Sequence, residues 1–128
     1  MAGLVLEFGY AFGPEGTALH GKRLVSAITT GGDNDAYSRD GVNRFTIQQL
    51  LLPFAQTAHF CGMAYLPPFV VHGTLQVQPD DYLDCMATAY QRALIGLRDG
   101  TLDAAALSEP AAYLNDLLPS RIYRMRNS

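Results

Sequence analysis

The chain has no tryptophan, two cysteines, three histidines and only 16% charged residues among its 128. Each shortage removes a class of function. Cys61 and Cys85 lack Cys-x-x-Cys spacing and supply neither a disulfide framework nor a zinc ribbon. Set in apolar, helix-like text, they read as buried free thiols in a reducing compartment. His20, His59 and His72 fall singly along the chain, so no metal site is expected. Nine basic residues against twelve acidic ones give a net charge of −3. Apart from Arg121, Arg124 and Arg126 the basic residues are scattered, which argues against nucleic acid as a partner and favours a small ligand. No run approaches the roughly 18 apolar residues of a membrane span, and Met1-Ala2-Gly3 opens no charged segment followed by a long apolar one. The expected location is the cytoplasm.

What is present is 48% hydrophobic sequence, enough for one ordinary core, in one domain or part of one. GLVLEF, residues 3–8, is apolar but stops at Gly9 and Gly13-Pro14, as if it were the end of an element whose beginning is absent. GPEGTALHG, 13–21, reads as an exposed loop. KRLVSAITT, 22–30, is a run of strand formers between glycines and fits a buried parallel strand. It delivers Thr29, Thr30, Gly31 and Gly32 at its carboxyl end, followed by a polar loop over 33–43. Residues 44–62 carry a helical pattern that Pro53 should kink or divide. Pro67-Pro68 leads into a second strand, FVVHG, 69–73, and a long amphipathic helix runs from Pro79-Asp80-Asp81 to about Arg98 before Gly100. Residues 102–118 allow one or two short helices, and PSRIYRMRNS reads as a loose tail.

Strand, loop, helix, strand, helix is a βαβα order and calls for a parallel sheet with right-handed crossovers. Two such strands need neighbours, so either a partner supplies strands or the front of the domain is lacking. Ligands of open α/β sheets bind outside the carboxyl ends of strands. The expectation there is that Gly31 and Gly32, which allow positive φ, bring backbone amides to a flat or anionic ligand, while Thr29 and Thr30 add hydroxyls and Tyr37 forms a planar wall. The same glycine pair is also compatible with a plain turn.

GYAFGPEGTALHGKRLVSAITTGGDNDAYSRDGVNRF followed by LLLPFAQTAHFCGMAYLPPFVVHG resembles the C-terminal half of the flavodoxin-like NAD(P)H:quinone oxidoreductases. The nearest likeness is to the bacterial branch that includes the ancillary oxidoreductase of glutathione-gated potassium efflux, and more distantly to modulator of drug activity B. It covers about residues 4–100, leaving 101–128 as a helical extension and tail. The resemblance implies an α/β fold: the C-terminal part of a flavodoxin-like parallel sheet flanked by helices, with the N-terminal strands and the flavin-phosphate loop missing. Residues 1–128 would then be one partial domain.

The activity implied is two-electron transfer from NAD(P)H through FMN or FAD to a quinone-like acceptor, in a homodimer that could sit peripherally at the inner face of the membrane beside a potassium-efflux protein. By the same resemblance Thr29, Thr30, Gly31, Gly32 and Tyr37 hold the flavin ring, with Tyr37 stabilising its reduced form. Tyr10, Phe12 and Asn43 line the nicotinamide and quinone pocket. Asn43 stands where the animal enzymes have a histidine and cannot carry a proton, so a histidine relay is not expected. The alternative reading is a catalytically inactive fragment or regulatory interaction subunit.

Overall fold

The computed structural model describes residues 7–109 and 112–118. The first residues of GLVLEF and the tail from 119 onward lie outside them. Two short parallel ladders lie in line. Strand β1 (Arg23–Leu24) pairs with β3 (Ala64–Tyr65), and β2 (Ala27–Thr29) pairs with β4 (Phe69–Val71). Arg23 lies opposite Ala64 but Ala27 lies opposite Phe69, so the register slips by one residue across Pro67-Pro68. Neither proline has an N–H for a ladder, and the extra residue is taken up there as a bulge. For this reason each predicted strand appears as two pieces, and Ala64–Tyr65 joins the sheet ahead of the expected start.

Helix α1 (Ile47–Leu50) and helix α2 (Leu52–Phe60) divide the predicted helix at Leu51. A capping box, in which Thr46 and Gln49 satisfy each other's backbone amides, starts the first piece. Pro53 falls in the first turn of the second, where its missing N–H costs nothing. Helix α3 (Tyr82–Asp99) buries Met86, Ala89, Ala93, Gly96 and Leu97, spaced by three and four, against Leu66, Phe69, Leu114 and Leu118. It ends on Gly100 in the left-handed conformation, and Arg23 Nη2 donates to the Leu97 carbonyl at 2.9 Å, a cation at the negative end of the helix. Helix α4 (Ala104–Leu107) and a 3₁₀ turn, Leu114–Leu117, complete the described chain. Both cysteines are free thiols; Cys61 is buried and Cys85 half-buried.

The first strand is less covered than a buried strand should be. Ala27 and Thr29 are exposed and Ile28 half-buried. Hydrogen bonds at Lys22, Leu24, Ser26 and Thr30 face the second strand. By strand alternation Arg23, Val25, Ala27 and Thr29 turn their backbone groups the other way, where no described residue takes them up. An apolar groove of about 240 Å³ runs along this edge, between Ala27, Ile28, Phe69 and Val71 of the sheet and Leu83, Met86 and Tyr90 of α3.

Candidate functional site

Strands β2 and β4 end side by side, and the residues after them are zipped together. Gly73 donates to the Gly32 carbonyl (2.8 Å), Thr74 N to the Thr30 carbonyl (3.0 Å) and Leu75 N to the Gly31 carbonyl (3.3 Å). The Thr74 hydroxyl adds a second bond to the Thr30 carbonyl at 2.9 Å. This loop needs Gly73, whose φ of 72° belongs to the left-handed region.

The consequence is directional. All three carbonyls of Thr30, Gly31 and Gly32 are consumed by the 73–75 loop, whereas the N–H groups of Gly31, Gly32 and Asp33 meet no acceptor among the described residues. They form a short row of free donors at a strand's carboxyl end, suited to oxygens or anionic character on a ligand.

Gly31 and Gly32 allow positive φ but do not use it. The special backbone sits across the sheet end at Gly73. A Cβ at Gly31 would lie 2.7 Å from the end of the Leu75 side chain, which is 90% exposed and free to swing aside.

Behind the turn, Thr30 is 7% exposed. Its hydroxyl lies 2.8 Å from the Gly32 carbonyl and 2.7 Å from His72 Nδ1. The imidazole of His72 meets two tyrosines, Tyr37 with ring centres 5.5 Å apart and Tyr113 at 5.8 Å. The Tyr82 hydroxyl donates to the His72 carbonyl at 2.6 Å, and Tyr113 Oη reaches Asn34 Oδ1 at 3.3 Å. Burial pushes the His72 imidazole below its ordinary value of 6.5, opposed by the nearby Asp33 carboxylate. Its Nε2 is buried with no hydrogen-bond partner among the described residues.

Of the residues singled out from sequence, Thr30, Gly31, Gly32 and Tyr37 converge here, with Thr29 exposed at the adjoining edge. Tyr37 closes the 3₁₀ turn Asn34–Ala36 and packs on Ile47, Leu51 and Val70. Asn43 is exposed and tied to the same turn through its backbone, N to Ala36 O at 3.0 Å. Tyr10 and Phe12 lie in a separate turn: Tyr10 is 66% exposed, Phe12 meets Phe8 edge to face, and no described hydrogen bond or ring contact joins either to the Thr-Thr-Gly-Gly turn. Sequence reasoning placed His72 only as a strand end and passed over Thr74, Tyr82, Tyr113 and Asn115. The available signal was a polar His-Gly-Thr directly after an apolar strand.

A parallel sheet with crossover helices and a donor-bearing turn at its carboxyl ends defines the open α/β class of ligand-binding proteins. The profile of the flavodoxin-like fold matches residues 4–94, and the chain belongs to that family. It is 46% identical over 78 residues to general stress protein 14 of Bacillus subtilis, covering 61% of this chain and 45% of that protein. Over 101 residues it is 41% identical to the glutathione-regulated potassium-efflux system ancillary protein KefF of Salmonella arizonae, covering 74% and 52%.

Among solved structures it is similar to an NADPH-quinone reductase from P. pentosaceus, with a TM-score of 0.62 at 33% identity over 71% of this chain and 53% of that one. It is also similar to general stress protein 14 of Treponema denticola in complex with FMN, with a TM-score of 0.51 at 30% identity over 66% and 52%. The chain thus spans about half the length of the relatives it matches. Among the described residues no helix is long and apolar enough to cross a membrane.

Proposed function

We propose that this chain carries the ring-facing part of a flavin site in an NAD(P)H:quinone oxidoreductase, as one partial flavodoxin-like domain over residues 1–128. The observation that supports it most is the row of free amides at Gly31, Gly32 and Asp33, whose carbonyl counterparts are all consumed behind them. Such donors suit the pyrimidine side of an isoalloxazine, where negative charge grows on reduction, and they are held before any charge arrives. FMN or FAD, when bound, supplies hydride acceptance from NAD(P)H and hydride delivery to the acceptor. The chain's own part is to hold the ring with the Gly31 and Gly32 amides, edged by Thr29 and backed by the buried Thr30, and to bound it with Tyr37. Tyr10, Phe12 and Asn43 are assigned to the acceptor pocket from the family resemblance, with Tyr10 exposed and Phe12 half-buried.

Exposed Leu50, Leu52, Phe54 and Phe60 on α1 and α2 favour a homodimer, since monomers rarely display such a patch. A cytoplasmic protein that meets a potassium-efflux membrane protein agrees with the likeness to the ancillary protein. The test is quenching of FMN and FAD fluorescence by the purified chain, followed by NADPH and a soluble quinone. Saturable binding with turnover, weakened by Tyr37→Ala, is the expected result; no binding and no turnover would overturn it. The second reading, a regulatory or interaction subunit without activity, is favoured by the open strand edge and predicts association without flavin binding.

A further inference from the structure

The hydroxyl of Thr30 has one proton, and two neighbours compete for it. The Gly32 carbonyl can only accept, and at 2.8 Å it takes that proton. His72 Nδ1, at 2.7 Å from the same oxygen, must therefore be the donor. This fixes the neutral Nδ1–H tautomer and leaves Nε2 as a bare lone pair, in keeping with its buried position and lack of a partner. The ring makes tilted contacts with Tyr37 and Tyr113, and its backbone carbonyl is held by Tyr82. Among the described residues, the charge that acts on it is the Asp33 carboxylate.

We infer that His72 is a positioning residue: as the Nδ1–H tautomer it locks the Thr30 hydroxyl onto the Gly32 carbonyl, and through its ring contact it sets Tyr37 and the Gly31–Asp33 amides in one arrangement. His72 touches no ligand in this role, because its free nitrogen is sealed. The role as a lock stands on the geometry; its bearing on flavin rests on the function proposed above.

Two substitutions separate the parts of the ring. His72→Phe keeps an aromatic ring against the tyrosines and removes the donor. His72→Asn removes the ring but places an amide N–H two bonds from Cβ, as Nδ1 is. The 128-residue chain is examined by hydrogen exchange at the amides of Thr30, Gly73, Thr74 and Leu75 and by long-range proton–nitrogen correlation of the imidazole. The expected result is a protonated Nδ1 at His72, exchange faster by about tenfold in His72→Phe, the worth of one net hydrogen bond, and exchange within about twofold of the parent in His72→Asn. A proton on Nε2 instead, parent-like exchange in His72→Phe, or no recovery in His72→Asn overturns the inference. FMN titration of the same variants is read separately. If the parent chain binds no FMN, the function proposed above fails while the exchange result still decides the lock. If it binds, affinity should fall in His72→Phe and recover in His72→Asn.

Discussion

Along β4 the outward backbone groups of Val70 and the flanking carbonyls of Pro68 and His72 are engaged, whereas along β1 and β2 the outward groups of Arg23, Val25, Ala27 and Thr29 meet nothing among the described residues. On the engaged side Leu114 N donates to the Pro68 carbonyl at 2.8 Å. The Asn115 carboxamide accepts from Val70 N at 2.9 Å and donates to the Val70 carbonyl at 2.8 Å, imitating the backbone of a further strand. The Tyr82 hydroxyl closes the row at His72. Sheets that are meant to end are blunted in such ways, and an unblunted edge is a place for more sheet. The difference marks the side of Ala27–Thr29, with its apolar groove, as the edge left open to pairing.

The comparison breaks most readily at Asn115. Asn115→Leu preserves bulk but strands the N–H and C=O of Val70 in the core, and stability should fall by about 3 kcal/mol, from one to three for each unsatisfied group. Urea unfolding of the variant beside the parent measures it. A contrast of prolines comes next. Ile28→Pro removes a ladder bond facing β4 and should lower stability by about 2 kcal/mol, while Ala27→Pro removes an N–H that faces outward and should change it by less than about 1 kcal/mol. Equal losses at the two positions would show that the open edge is not open.

A third expectation concerns pH. The folded state holds His72 below 6.5, so the unfolded chain binds more protons once the pH drops under about that value. The contribution is therefore present above pH 6.5 and is lost as pH falls toward the folded value. Thermal unfolding at stepwise pH should show this decline in the parent and a shallower one in His72→Asn. The smallest effect is assigned to Thr29→Lys, an exposed change expected to alter stability by under about 0.5 kcal/mol while lowering self-association in sedimentation, because lysine discourages edge pairing.

Much of this architecture was legible because punctuation carries it. Glycines and prolines marked both strands, Pro53 marked the division of the helix, and the three-and-four spacing from Met86 to Leu97 marked the long one. The bulge was not legible, since it depends on which residue of the facing strand each proline displaces. Nor was the blunted edge: Asn115 and Val70 are 45 residues apart, and an asparagine within YLNDLL looks like any turn residue until its amide is seen on a strand. At the site, the Thr-Thr-Gly-Gly segment and Tyr37 could be picked out, but the positive φ that the turn needs falls on Gly73, which was read only as the end of a strand. Chain direction shows where a turn falls and does not show which of its carbonyls a neighbouring loop will occupy.

Asn115 also limits how many sheet edges the molecule offers for pairing. With one edge stoppered, edge-to-edge pairing can join two copies and then ends, because the pair presents no further sticky side. Unstopper it, by cleavage ahead of Tyr113 or by loss of the carboxamide, and each copy gains a second pairing side. Head-to-tail contacts of that kind need not close, and the product is an open-ended filament in place of a finite complex.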